Sequence, residues 1–255
     1  MSHPSEQDAI LSVRGLGVRF GELKAVHDLS FDAQRGHITA IIGPNGAGKS
    51  TAFNLISGAI TPRSGQVHFE GHNVTGFAPN KMLAAGLSRS FQITNLFFDL
   101  SVHENLRLAA HYLEQGKGWW SPVHNSQVAL ARADELLTQF GLTHKAHELA
   151  GHLSHGEQRR LEIAVALASK PRMLLLDEPT QGMSHADTQE TAELIGRLAS
   201  DFGLSVLLVE HDVEMVMRVS DHVVVMAQGM KIADGTPEAV RANPAVQTAY
   251  FGDKH

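Results

Sequence analysis

Gly43-Pro44-Asn45-Gly46-Ala47-Gly48-Lys49-Ser50-Thr51 decides how the rest of the chain is read. It fits G-x-x-x-x-G-K-[ST], the phosphate-binding loop. The loop needs a buried strand before it and a helix after it, and both patterns are present. Ile38, Ala40, Ile41 and Ile42 form an apolar run that stops at Gly43. Lys49 to Ser57 reads as a helix with Phe53 and Ile56 on one side and Gly58 where a C′ residue belongs. Glycines let backbone N–H groups wrap a phosphate chain, and the helix adds its N-terminal donors and positive dipole end. Lys49 supplies charge to the β- and γ-phosphates, and the Ser50 hydroxyl is a natural Mg²⁺ ligand. The stretch therefore predicts a nucleoside triphosphate, without saying which.

Composition sets the outer bounds. The 255 residues suffice for a full core, as one large domain or two small ones. A net charge of −6 gives no electrostatic footprint for nucleic acid. The absence of cysteine excludes disulfides and Cys-ligated zinc, and the 16 histidines form no HExxH or tight ligand cluster. The polar start, Met1 to Asp8, lacks the pattern of a signal peptide, and no run approaches ~18 apolar residues, so no membrane span is expected.

Short strands are expected at Leu11–Arg14, Gly17–Phe20, Asp28–Phe31, His37–Ile42 and Gln66–Glu70. Phe20 could stack on a base, although taken alone it reads more readily as core. A short helix is expected over Lys81–Gly86, and helical spacing over 101–113 follows a possible capping box at Ser101 and Glu104. Trp119-Trp120 sits in a Gly/Pro-containing loop, either as a contact surface or folded back on the domain. Val128 to Phe140 is an amphipathic helix ended by Gly141. Residues 93–152 are thus mainly helical between two β-containing parts, which predicts a helical subdomain inserted into an α/β core.

Leu153-Ser154-His155-Gly156-Glu157-Gln158 opens another helix, with Ser154 and Glu157 as a capping box. Ser154 is at least a good N-cap, and a helix end with Gly156 in its first turn is also a ready anion site. Met173 to Leu176 is a continuous apolar run ending in Asp177-Glu178, the pattern of a strand buried on both faces. Carboxylates at such a strand end lie at the ligand crevice. Asp177 is placed to hold Mg²⁺ and Glu178 to polarise an attacking water. Ala192–Ala199 reads as a helix and Leu204–Val209 as a second buried strand. His211 stands just past that strand's end; alone it would be structural, but the crevice already holds a phosphate loop and two acids. His222–Ala227 and Met230–Ala233 pair as a hairpin, and Thr236-Pro237-Glu238 starts a C-terminal helix.

This ordered set resembles the ATP-binding cassette (ABC) ATPases over nearly the whole chain. Phe20 matches the adenine-stacking aromatic, Gly43–Thr51 Walker A, Gln92 the Q-loop glutamine and Leu153–Gln158 the LSGGQ signature. Leu174–Glu178 matches Walker B, Ser184-His185-Ala186-Asp187 the D-loop and His211 the switch histidine. His155 stands where glycine is commonest, and Glu157 replaces the usual glutamine. The resemblance implies an α/β fold, the P-loop NTPase core of ABC type: a mixed sheet with an antiparallel β part. The core would comprise 9–92 and 153–255, with the helical subdomain over about 93–152, all in one domain of 1–255. ATP and Mg²⁺ are the implied cofactors. Gly43, Pro44, Asn45, Gly46, Ala47, Gly48, Lys49, Ser50 and Thr51 would hold the nucleotide in cis, while Ser154, Gly156 and Glu157 would cover it in trans. Ser50, Gln92 and Asp177 would serve the metal, and Glu178, His211 and Gln92 the hydrolysis.

Softer features, Arg89-Ser90-Phe91-Gln92, Asn95-Leu96-Phe97, Ser101–Leu106 and the tail Gly235–Glu238 with Ala249-Tyr250-Phe251-Gly252, look like the importers of branched-chain amino acids and related solutes such as urea, amides and aromatic acids. The implied partners are transmembrane permease subunits, a second ABC ATPase (the same or a similar chain) and, indirectly, a periplasmic binding protein, with no nucleic acid. The implied location is peripheral, on the cytoplasmic side of the inner (plasma) membrane. The tail is shared with the ATPase of lipopolysaccharide export, which makes a lipid exporter the alternative within transport. A soluble, non-transport cassette is a further alternative, but the insert of about 60 residues lacks sustained heptads. A P-loop kinase or GTPase leaves Ser154–Glu157 and His211 without a purpose.

Overall fold

The computed structural model describes residues 9–89, 96–111 and 126–251. The short β segments expected near the start join into two long strands, β1 (Ala9–Phe20) and β2 (Leu23–Gln34). They pair antiparallel with register shifts, for example between Val13 and Leu16. Bulges, rather than chain reversals, cause the breaks in alternation seen in the sequence. The chain then enters a second sheet through β3 (Ile38–Ile42), which leads into helix α1 (Lys49–Ile56). It returns to pair β4 (Ser64–Phe69) with β1 and β5 (His72–Asn73) with β4. The antiparallel sheet has the order β2-β1-β4-β5.

The second sheet is mixed. After α2 (Pro79–Ala84) come β6 (Leu87–Arg89), helices α3 (Val102–Ala110), α4 (Gln127–Gln139) and α5 (His155–Leu167), and then β7 (Met173–Asp177). Helix α6 (His185–Ser200), β8 (Ser205–Val209), helix α7 (Val213–Val219), the hairpin β9 (His222–Ala227) and β10 (Met230–Gly235), and helices α8 (Pro237–Arg241) and α9 (Pro244–Phe251) complete the order. The sheet runs β10-β9-β3-β8-β7-β6; β10 is antiparallel to β9 and the other neighbours are parallel. Every residue of β3, β7 and β8 is buried, as their predominantly apolar sequences require, and Thr39, Asp177 and Ser205 are buried with them.

Alternation along these strands divides the core in two. Ile38, Ala40, Leu174, Leu176, Val206 and Leu208 face α3, α4, α5 and α6. Ile41, Leu175, Leu207 and Val224 face α1 and the antiparallel sheet, in one buried cluster that includes Phe53 of α1, Phe31 and Phe69. Helix α1 is therefore held between two sheets, which fixes the start of the helix in space.

Some elements exceed or escape the sequence pattern. Helix α6 starts seven residues before Ala192 because Ser184 accepts from Asp187 N as its N-cap. Helix α7 is capped by Asp212 but buries only Met215 and Val216, too few for a visible period. The expected box at Ser101 is half formed: Ser101 Oγ accepts from Glu104 N, while the Glu104 carboxylate turns to Arg107. Trp119-Trp120 lies outside the described residues.

Candidate functional site

Parallel pairing brings the site together. Ile41 of β3 and Asp177 of β7 are both in register with Val209 of β8. The phosphate loop, Asp177-Glu178 and Glu210-His211 therefore leave one edge of the sheet side by side, at its C-terminal end, where open α/β sheets bind ligands.

The loop is shaped by glycine at defined places. Gly43, Gly46 and Gly48 have φ of +156°, +79° and +96°. A Cβ at Gly43 would run into the Met226 carbonyl, and one at Gly48 into the Ala25 carbonyl, whereas Gly46 faces open space. The loop is braced from behind by the β9–β10 hairpin: Gly229 N donates to Ala47 O at 3.0 Å, and His27 N donates to Gly229 O at 2.8 Å. Gly229 thus belongs to the cradle, a role its place in a distant hairpin turn hides. Lys49 is buried, and its Nζ donates to Gly43 O (2.8 Å) and Pro44 O (3.2 Å). Burial pulls this ammonium below the ordinary lysine range, while the Glu178 and Asp177 carboxylates pull it partly back. Ser50 is exposed beside it.

Glu178 has φ +46°, a left-handed conformation that costs a non-glycine residue energy and is held by Glu178 N donating to Val209 O at 2.8 Å. Asp177 is 1% exposed. Burial raises its carboxyl above the usual range, against the lowering pull of Arg89. Its Oδ2 accepts from Arg89 Nη2 at 3.3 Å, and its Oδ1 is buried with no hydrogen-bond partner. Such an oxygen suits a hard divalent cation. Among the described residues no cluster of three or more His, Cys, Asp or Glu forms a cage. A cation here would draw its other ligands from a hydroxyl such as Ser50 and from the phosphates.

Glu210 was not singled out from the sequence. It is fully buried, and its Oε1 accepts from Thr180 N (2.9 Å) and Thr180 Oγ1 (2.5 Å). Its Oε2 accepts from His211 N at 3.0 Å. One carboxylate thus ties the turn after Glu178 to the backbone of His211, whose side chain is half exposed. The available signal was an acid ending a continuous apolar strand, the same signal that marked Asp177.

Phe20, at the tip of the β1–β2 hairpin, is 49% exposed, so the core reading fails and the ring is free to meet a ligand. Gln92 lies outside the described residues, as do Phe91 and Asn95. At α5, Ser154 Oγ accepts from Glu157 N, while Ser154 N and Oγ both donate to Glu157 Oε2 at 2.9 Å. The backbone N–H of Ser154 draws the Glu157 carboxyl below its usual range. Gly156 packs so close to Asp187 that a Cβ would come 3.0 Å from Oδ1. A cavity of about 260 Å³ lies between α5 and the end of β7, lined by His155, Arg159, Asp177 and Glu178 among others.

With this geometry in place, comparison with known proteins is decisive. Residues 26–181 match the ABC transporter family, and residues 230–255 match the branched-chain amino acid ATP-binding cassette transporter family. The chain belongs to the ABC transporter ATP-binding family. It is 40% identical over 250 residues to the high-affinity branched-chain amino acid transport ATP-binding protein BraF of Pseudomonas aeruginosa, covering 96% of this chain and 98% of that one. It is 38% identical over 251 residues to LivG of Escherichia coli, which carries the same description, with coverage of 96% and 98%. The fold superposes on the ADP conformation of the ATP-binding cassette MJ1267 with a TM-score of 0.85 at 30% identity, covering 96% of this chain and 99% of that one. The ABC ATPase fold and ATP as nucleotide follow from membership.

Proposed function

We propose that this ABC ATPase powers import of branched-chain amino acids or a closely related small solute, using Mg²⁺ and ATP. The observation that carries the chemistry is the edge shared by the phosphate loop, Asp177-Glu178 and His211. The solute class rests on the match at 230–255.

In this reading the loop N–H groups and Lys49 bind the phosphates and Phe20 stacks on adenine, while Ser50, Asp177 and Gln92 would serve Mg²⁺. Mg²⁺ supplies neutralisation of the charge that develops on the phosphates. Glu178 takes the proton of the attacking water, and His211, held through Glu210, steadies the γ-phosphate end. Ser154, Gly156 and Glu157 meet the nucleotide of a second cassette, so two chains close head to tail around two ATP molecules. The core (9–92 and 153–255) and the helical part (93–152) act as the two bodies that this closure rearranges.

No helix among the described residues is long and apolar enough to cross a membrane. A membrane permease would seat on the groove between α2, β6 and α5, a cavity of about 350 Å³ with Met82, Leu83, Leu87, Leu96, Val165 and Ala166 in its walls. In this reading the chain works on the cytoplasmic face, with a periplasmic binding protein delivering solute from the other side. The test is uptake of labelled leucine, then of urea, amides and aromatic acids, in cells carrying the native chain or Glu178→Gln. Glu178→Gln is expected to bind ATP normally, to release phosphate roughly 10²–10⁴-fold more slowly, and to abolish uptake of the cognate solute. Near-native phosphate release would remove Glu178 from its role, and unchanged uptake across the panel would reject import.

A further inference from the structure

Arg89 ends the edge strand β6 three residues before Gln92 and is engaged on three sides. Nη1 donates to Asn54 Oδ1 (2.7 Å) and Ser57 Oγ (3.0 Å) at the C-terminal end of α1. Nη2 donates to Asp177 Oδ2, and the guanidinium lies over the Phe53 ring, 4.7 Å from its centroid. We propose that Arg89 is a positioning residue for Asp177: its planar fork pins Oδ2 to the end of α1 and so leaves Oδ1 as the oxygen presented to a divalent cation. The proposal rests on the reading of Asp177 as a cation ligand.

A carboxylate at a strand end can turn about its last torsion and exchange its two oxygens. Here one oxygen is fastened and the other is buried without a partner, an asymmetry that needs a rigid donor. Stacking on Phe53 fixes the plane of the guanidinium, and Asn54 and Ser57 fix its rotation within that plane. Lysine could neutralise Asp177 but could not span both attachments, because its charge is a single point on a flexible stem. The simpler alternative, charge neutralisation alone, therefore makes a different prediction.

Arg89 also faces the apolar groove, together with Ser57. The same guanidinium reaches from that groove to the acid that ends β7. A second connection runs through Glu162 and Arg159, but it ends on the Pro179 carbonyl rather than on a carboxylate.

The test uses the full chain carrying Glu178→Gln, saturated with ATP, and reads Mn²⁺ affinity by electron paramagnetic resonance, with ATP affinity in EDTA measured alongside. Arg89→Lys is expected to weaken Mn²⁺ binding about tenfold or more, the usual scale for removing a group that orients a metal ligand, while ATP affinity in EDTA is unchanged. Asn54→Ala, which leaves the arginine in place and removes one anchor, is expected to weaken Mn²⁺ in the same direction by less. Parent-like Mn²⁺ affinity in Arg89→Lys would overturn the proposal, as would parent-like affinity in Asn54→Ala should the lysine variant not fold. Asp177→Asn separates the two levels. If it leaves Mn²⁺ affinity unchanged, the cation-ligand reading fails; if it weakens Mn²⁺ while both other variants do not, only the role of Arg89 fails.

Discussion

Helix α1 begins at Gly48, which has φ +96° and supplies no side-chain cap. Helix α5 begins at Ser154, which forms a complete capping box with Glu157. Both starts were candidate anion sites on the same grounds: free N–H donors and the positive end of a helix dipole. The structure separates them. At α1 no side chain of the cap competes for the first-turn donors, and the neighbouring charge is the Lys49 ammonium. At α5 the Ser154 hydroxyl already takes the first-turn N–H of Glu157, the Glu157 carboxylate takes the N–H and hydroxyl of Ser154 itself, and the neighbouring charge is negative. Under the proposed function one helix end takes phosphate within its own chain. The other is satisfied alone, and would exchange its internal bonds for the nucleotide that a second chain brings to it.

The contrast can be broken at the loop. Gly48→Asp would add a cap to α1, in a left-handed conformation and against the Ala25 carbonyl. A loss of ATP affinity of about a hundredfold or more is expected, measured by equilibrium binding, since the donors are taken and a negative charge is added. Binding within tenfold of the native chain would show that the open helix end is not what selects phosphate.

Glu157→Gln sharpens the comparison from the other side. It keeps the shape of the box and removes the charge. ATP-driven dimerisation in the Glu178→Gln background is expected to tighten by about tenfold, because a like charge next to phosphate is removed. Analytical ultracentrifugation reads this directly, and weaker dimerisation would place Glu157 away from the nucleotide. Ser154→Ala removes the cap itself. The free chain is expected to lose about 1 kcal/mol, a fall in melting temperature of roughly 2–4 °C, with ATP binding to the single chain unchanged.

The smallest effect is in acid. The folded-state pKa of Glu157 is depressed, first by the Ser154 N–H, so its contribution to stability is present above the ordinary carboxylate value of about 4.3 and is lost as pH falls through the lower folded value. Native and Glu157→Gln chains should therefore converge in melting temperature as pH drops below about 4.3. A gap that stays constant through that range would mean that the ionised carboxylate contributes nothing to the cap.

Much of the fold and site was legible in the chain itself. Continuous apolar runs marked β3, β7 and β8, because a strand covered on both faces has no polar side to show. The acids ending β7, and the G-x-x-x-x-G-K-S pattern after β3, placed chemistry at strand ends. Phe20 taken alone reads more readily as core, since an aromatic after an apolar strand usually packs inward; its exposure at a hairpin tip overturns that reading. Glu210 carries a strand-end signal like that of Asp177, but its role, like those of Gly229 and Arg89, is not legible in the sequence. Each acts on a residue distant in sequence: Thr180, Ala47 and Asp177 respectively. No local spacing encodes such a contact.

The sequence by itself determined the class of chemistry, because phosphate binding needs particular residue types at particular spacings within a few residues of one another. It also determined the layering, because burial on one or both faces is written in the alternation of apolar residues. It determined as well which helix end is closed on itself, because the box between Ser154 and Glu157 is a contact over three residues. Only the tertiary structure revealed the carboxylate that joins the Glu178 turn to His211 and the guanidinium that joins α1 to Asp177. Those outcomes depend on strand order and register in the six-stranded sheet, which set residues tens of positions apart within hydrogen-bonding distance.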